Sequence, residues 1–265
     1  MLKIRTHVFS AFLKSKIVLL NDSCNTTISF SGIEAIDTRA FKDFCGRLGS
    51  KAAALTKFIA DRAKESKTPC VLIGASALIV RGIIRRETYD VDFNIAPRRS
   101  LELQNTIKPR LDQSKREAVL VDGKTPQLKA LQTSFRIFKS FEGKSVEENM
   151  KADISENRCA LLSSAYSDVD GVMVATLPLV VVFKICAITR PNRPPLKQVT
   201  DISDLVDVLN YLVAHGETVA DELQELFAHE VPPFSWRVFW EQLDPSTSVI
   251  LEDQLHRVGI AKTRD

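Results

Sequence analysis

Apolar positions recur along this chain with two periods, and each period predicts its own elements. Between residues 50 and 64, Leu55, Phe58 and Ile59 share a helical face, with Ser50 as the expected N-cap. Upstream, Phe41, Phe44, Cys45 and Leu48 follow the same spacing from Asp37, and Gly49 closes that helix. Residues 70–74 form a short apolar run that predicts a buried strand. Residues 75–81 follow as a helix, and the alternating residues 89–95 as a second strand. A helix is expected over 101–111 and a strand over 117–121. Two more strands are expected over 134–141 and 148–155, joined through the Glu142-Gly143-Lys144 turn. Asp170-Gly171, between apolar residues, marks a hairpin turn, which is also the reading of Asp168 beside it.

Beyond about residue 170 the helical period takes over. Pro178 suits the first turn of a helix reaching about 190. A proline-rich loop covers 191–195, and helices follow over 200–212 and 218–229. The Pro232-Pro233 break opens an aromatic helix in which Phe234, Trp236, Phe239 and Trp240 are expected to pack as core. The pattern is α/β (α+β), a short mixed sheet flanked by helices and followed by a helical C-terminal domain. The expected division is an N-terminal segment packed on the core (1–50), an α/β domain (51–170) and a helical domain (171–265). Residues 1–20 mix Lys and Arg through their apolar positions and lack an uninterrupted signal-peptide core, so a folded strand or helix is expected there. The apolar run at 179–183 ends at Lys184, well short of a membrane span.

Composition narrows the class. With 265 residues, 45% hydrophobic and 26% charged, the chain is neither disordered, collagen-like nor a coiled-coil rod. The net charge of +3 conceals a split. Residues 216–253 carry nine acids and one base, and the remainder carries 35 bases and 24 acids, a balance of +11. Five scattered cysteines without a CxxC pair fit neither a disulfide framework nor a zinc site. A reducing, cytoplasmic setting is expected, with no membrane partner and no disulfide-linked one. The four histidines lie outside the stretch described next, which excludes a Ser-His-Asp triad built on it.

The chemistry concentrates in residues 71–93. Gly74-Ala75-Ser76 falls where a strand passes into a helix, and small residues there let backbone N–H groups approach a phosphate. Asp90 and Asp92 are two apart on the following strand and therefore share a face, while Val91 and Phe93 turn to the other. Two adjacent carboxylates need a counter-charge. A divalent cation is the usual one, and Mg²⁺ favours carboxylates together with substrate phosphates. A phosphate cradle followed by a metal-holding pair implies nucleotide chemistry.

The stretch Gly74-Ala-Ser-Ala77, Gly82, Arg85 or Arg86, Thr88, Asp90-Val-Asp92 resembles the signature of the DNA-polymerase-beta-like nucleotidyltransferase superfamily. It is most similar to the abortive-infection and type IV toxin group (AbiEii-like). The likeness continues loosely through Phe183-Lys-Ile-Cys-Ala187, Arg190, Lys197, Asp201-Ile and Asp204-Leu. Ala75 stands where the group has a second glycine, and Gln198 where it often has an acid. The resemblance implies a nucleotidyltransferase fold and transfer of a nucleoside monophosphate from an NTP to an acceptor, RNA (tRNA included) or a small molecule, with release of pyrophosphate. It implies Asp90 and Asp92 as catalytic ligands of Mg²⁺, with Mn²⁺ as a substitute and Asp153 as a third carboxylate. Gly74, Ala75, Ser76, Thr88 and Arg85 or Arg86 would bind substrate. Lys184 matches the group's lysine near the triphosphate, and Asp201 its late acid, a base or a structural anchor. Two alternatives stand beside this reading: a catalytically silent nucleotidyltransferase-like domain that binds nucleotide or protein, and an Asp-x-Asp glycosyltransferase.

Overall fold

The computed structural model describes residues 15–21, 24–30, 46–112, 118–122, 129–133, 137–141, 144–148 and 151–260. The helix expected from Asp37 lies outside them, apart from its last turn. The chain divides into two compact units, Met1–Cys70 with Glu87–Asn157, and Val71–Arg86 with Arg158–Asp265.

In the first unit, β1 (Ser15–Asn21), β2 (Cys24–Phe30), β7 (Ile137–Phe141) and β8 (Lys144–Glu148) form an antiparallel four-stranded sheet in the order β1-β2-β7-β8. A hairpin of β5 (Ala118–Asp122) and β6 (Lys129–Thr133) stands beside it in sequence. β4 (Asp90–Ile95) pairs in parallel with β9 (Lys151–Glu156), with Asp92 opposite Asp153. α1 (Ser50–Glu65) and α3 (Ser100–Asp112) supply the helical side. Leu55, Ile59, Val91, Phe93, Ile95, Leu103, Ile107 and Ala152 are all fully buried or nearly so. The cap of α1 is Gly49, at φ 82°, and Ser50 is already helical, so the helix opens one residue earlier than expected.

The second unit begins with β3 (Cys70–Ile73) and α2 (Gly74–Val80), close to the bounds expected for both. β10 (Tyr166–Val169) and β11 (Val172–Ala175) form the hairpin expected at Asp170-Gly171. Both turn residues have positive φ, 54° and 78°, and Asp168 accepts a hydrogen bond from the Gly171 N–H at 2.9 Å. β11 runs parallel to β3, so the strand pairing here is mixed. Then come α4 (Leu177–Ile188), α5 (Pro195–His215), α6 (Asp221–Glu230), α7 (Pro233–Glu241) and α8 (Pro245–Arg257). The architecture is α/β with a helical C-terminal portion.

α4 is the hub of the second unit. It is apolar on every side, the signature of a helix surrounded by others, and it packs on α2, α5, α6 and α7. Its Val180-Val181-Val182 run has poor intrinsic helix propensity, which burial overrides. The aromatic helix packs largely as expected. Trp236 stacks on Phe227 at 6.0 Å between centroids and meets Phe239 edge-on at 5.7 Å. Phe234 is the exception, 65% exposed with the Arg237 guanidinium 5.2 Å from its ring centroid.

Two expectations are corrected. β7 pairs with β8 (Lys144–Glu148) rather than with a strand at 148–155, and β9 is a separate strand starting at Lys151. β8 reads Lys-Ser-Val-Glu-Glu, too polar to announce itself by alternation. α5 begins at Pro195 and not at 200, because proline is well suited to a first helical turn and here opens the helix. Among the described residues no helix is long and apolar enough to cross a membrane.

Cys70 and Cys159 are buried and Cys186 is half-buried, all as thiols. Burial raises the Cys70 thiol pKa well above its ordinary value, and pushes that of Cys186 up to about 12, with the Glu230 carboxylate adding to it. The thiolate is the nucleophile, so iodoacetamide at pH 8 is expected to leave these three cysteines unlabelled in the native protein and to label them in urea. Peptide mass mapping reads the difference. Native labelling of Cys70 at the denatured rate would contradict the burial described.

Candidate functional site

The first unit contributes a row of carboxylates. Along β4, Val91 and Phe93 are buried while Asp90 and Asp92 on the opposite face are half-buried. β9 repeats the alternation, so three polar pairs lie side by side: Asp90 with Lys151, Asp92 with Asp153, and Asn94 with Ser155. The last pair is closed by a 2.6 Å bond from Ser155 Oγ to Asn94 Oδ1. Neighbouring strands run about 4.8 Å apart, which sets Asp92 and Asp153 shoulder to shoulder. Lys151 Nζ donates to Asp153 Oδ2 at 2.6 Å, whereas Asp153 Oδ1 is buried with no hydrogen-bond partner among the described residues. Thr88 Oγ1 donates to the Asp90 carbonyl at 2.8 Å and lies 3.5 Å from Asp90 Oδ1. It therefore pins the start of the strand that carries the pair.

A buried, unsatisfied carboxylate oxygen is costly, and a cation is what such an oxygen accommodates. Among the described residues no three His, Cys, Asp or Glu side chains are grouped to hold a metal ion by themselves. Mg²⁺ does not need such a cage, because it keeps several waters and takes one or two carboxylates plus phosphate oxygens. The donor set of this row fits that ion.

The second unit holds the glycine turn. Gly74 has φ 68°, a left-handed backbone that glycine adopts without strain, and it opens α2. The cap position belongs to Ile73, whose side chain has no oxygen to offer the first amides of the helix. Gly74 and Ala75 are half-buried, while Ser76 is 1% exposed, its hydroxyl drawn into the protein.

The same unit contains a buried ionic network. Lys184 lies inside α4 at 5% exposure, yet its ammonium meets two carboxylates. It donates to Asp201 Oδ1 at 2.8 Å and to Asp204 Oδ2 at 2.5 Å, both on α5 and both buried. Arg193, in the loop before α5, donates to Asp201 Oδ2 through Nε at 2.9 Å and through Nη2. Arg86 Nη2 donates to Asp204 Oδ2 at 2.7 Å. Both oxygens of Asp201 are thus taken by cations. An open groove of about 490 Å³ lies between residues 83–86 and the α5 residues Val199, Thr200, Ser203, Asp204 and Asp207. Arg85, exposed, is on its wall.

The structure therefore brings Asp90, Asp92 and Asp153 onto one face of one strand pair, with Thr88 at its entry. It joins Lys184 to Asp201. Sequence reasoning did not assign Asp204 or Arg193 to the site. Asp204 carried a signal, since it lies three residues from Asp201 on the same helix face, but Arg193 sits in an irregular loop and carried none.

No protein-family model and no curated protein matches the sequence. Among solved structures the chain is similar to JHP933 from Helicobacter pylori, at 18% identity over 85% of this chain and 91% of that one, with a TM-score of 0.41. It is similar to a candidate nucleotidyltransferase from H. pylori, at 16% identity over 84% of each chain and a TM-score of 0.41. A third is the antibiotic-resistance factor ANT(2'')-Ia, at 14% identity over 77% of this chain and 96% of that one, with a TM-score of 0.38. These likenesses are distant.

Removing the Lys184 ammonium would leave two buried carboxylates facing a methyl group. Breaking a buried ion pair from one side costs about 3–5 kcal/mol, and Lys184→Met is expected to lose about 3 kcal/mol in urea unfolding. A loss under about 1 kcal/mol would mean that the ammonium is not the counter-charge of Asp201 and Asp204.

Proposed function

We propose that this protein is a metal-dependent nucleotidyltransferase that moves a nucleoside monophosphate from an NTP to an acceptor and releases pyrophosphate. The observation that carries this reading is the row of Asp90, Asp92 and Asp153, with the Oδ1 of Asp153 buried and without a hydrogen bond among the described residues. The spacing Gly74-x-Ser76, then Asp90-x-Asp92, supports it independently, because the glycine turn leaves its first amides without a side-chain cap.

Asp90 and Asp92 would hold Mg²⁺, or Mn²⁺ in its place, with Asp153 as the third carboxylate of the row. When bound, the ion would polarise the phosphate oxygens and lower the pKa of the attacking hydroxyl. The residues of the chain do the rest. Amides of Gly74, Ala75 and Ser76 receive phosphate oxygens, and Arg85 or Arg86 offsets the charge that develops as pyrophosphate leaves. Thr88 holds Asp90 in place through the strand's first carbonyl. Asp201, with both oxygens engaged, is an anchor, and Lys184 keeps it and Asp204 neutralised. In the transfer an acceptor oxygen bonds to the α-phosphorus and the bond from that phosphorus to the β-phosphate oxygen breaks. The acceptor is RNA, including tRNA ends, or a small molecule, taken through a hydroxyl or a phosphate. The thiols of Cys70, Cys159 and Cys186, two buried and one half-buried, accord with a reducing compartment, and on this reading the reaction runs in the cytoplasm.

The test is transfer of label from radioactive NTP to RNA or small-molecule acceptors. The double variant Asp90→Asn with Asp92→Asn is expected to lose roughly 100-fold or more of the rate while keeping its melting temperature. Transfer by the double variant at the wild-type rate would remove the carboxylate row from the reaction.

A further inference from the structure

Five charged side chains of the second unit form one continuous series: Arg86, Asp204, Lys184, Asp201 and Arg193. Three cations meet two carboxylates, so the series carries one positive charge in excess. Exposure decides where that charge is presented. Lys184 exposes 7% of its side chain and Arg193 23%, whereas Arg86 exposes 40% and lines the groove beside α5.

One oxygen is decisive. Asp204 Oδ2 accepts from Lys184 Nζ and from Arg86 Nη2 at once. Had Asp204 met Arg86 alone, the two would form a neutral pair with little attraction for an incoming anion. Lys184 supplies the counter-charge from inside the protein, so Arg86 stays positive toward the groove while Asp204 still fixes its position. A guanidinium has five N–H donors, and the bond to Asp204 uses one of them. Arg85 also faces the groove, but among the described residues no bond holds its guanidinium, so it must be ordered at each binding event.

We propose that Arg86 is the cation that grips the phosphates of the substrate, and that Asp204 and Lys184 are positioning residues acting through it. This rests on the NTP reading of the preceding section and deepens it. Lys184 then serves the triphosphate without touching it, through the shared oxygen of Asp204. Arg85 contributes little.

The experiment is the affinity of the full-length protein for ATP, GTP, CTP and UTP, each with Mg²⁺, by titration calorimetry. The variants are Arg86→Gln, Arg85→Gln, Asp204→Asn and the double variant Arg86→Gln with Asp204→Asn. Arg86→Gln is expected to weaken binding of the preferred NTP by roughly 10-fold or more with an unchanged melting temperature. Arg85→Gln is expected to change it by less than about 3-fold. If Asp204 acts through Arg86, the double variant binds no worse than Arg86→Gln to within about 2-fold, whereas a merely structural Asp204 would add its own loss. Multiplying effects, or a larger effect of Arg85→Gln than of Arg86→Gln, would overturn the assignment. Should Asp204→Asn fail to fold, the comparison of the two arginines still decides it. Wild-type protein that binds no NTP overturns both this inference and the proposed function, and wild-type binding that Arg86→Gln leaves intact overturns this inference alone.

Discussion

A lysine in the middle of an apolar helix sets the terms for the whole second unit. α4 must be hydrophobic on all sides to serve as the helix on which α2, α5, α6 and α7 pack, and Lys184 lies within it. A lone buried ammonium is too costly to tolerate, so α5 brings Asp201 and Asp204 to it. Two carboxylates exceed one ammonium, and Arg193 and Arg86 complete the set. The start of α5, the loop before it and the segment after α2 are thereby tied to one buried point. An ionic network of this kind adds little net stability over an apolar core but fixes geometry sharply.

Much of this fold could be read from periodicity. β3, α2, β4, α4 and the β10–β11 hairpin follow their patterns to within a residue or two, because each buries one clear face or run. The elements that escaped lacked such a face. β8 is charged along its length, and β6 reads Lys-Ala-Leu-Gln-Thr, in which no stripe stands out. α8 is different, since its signal was present. Asp244 caps it, accepting from the backbone N–H groups of Ser246 and Thr247, and Pro245 fills the first turn. Hydrogen bonds from the Ser246 and Thr247 side chains, then from the backbone, hold the Asp244 carboxyl below its usual range. Its contribution is therefore present above the ordinary carboxylate pKa and fades as pH falls through the lowered value.

The site was legible to the extent that its chemistry follows from local spacing. Asp90 and Asp92 are two apart on a strand, so their shared face is a consequence of the pleat. The glycine turn likewise follows from the strand-to-helix junction. Asp153 depended on parallel pairing of β9 with β4, a long-range register that no local pattern specifies. The partner of Lys184 was equally hidden. An apolar helix face interrupted by lysine reads the same whether the head snorkels to solvent or meets a charge, and only the packing of α5 distinguishes the two. Arg86 and Asp204 are 118 residues apart in the chain, beyond any pattern in sequence.

The central claim is that the α-phosphorus of an NTP is the atom transferred. The most direct measurement supplies the protein with Mg²⁺ and acceptor, using NTP labelled at the α-phosphate in one reaction and at the γ-phosphate in another. Label from the α-position should pass to the acceptor, and label from the γ-position should appear in pyrophosphate. Transfer of the γ-label to the acceptor, or intact pyrophosphate bonds after exposure to all four nucleotides and each acceptor class, would contradict the account.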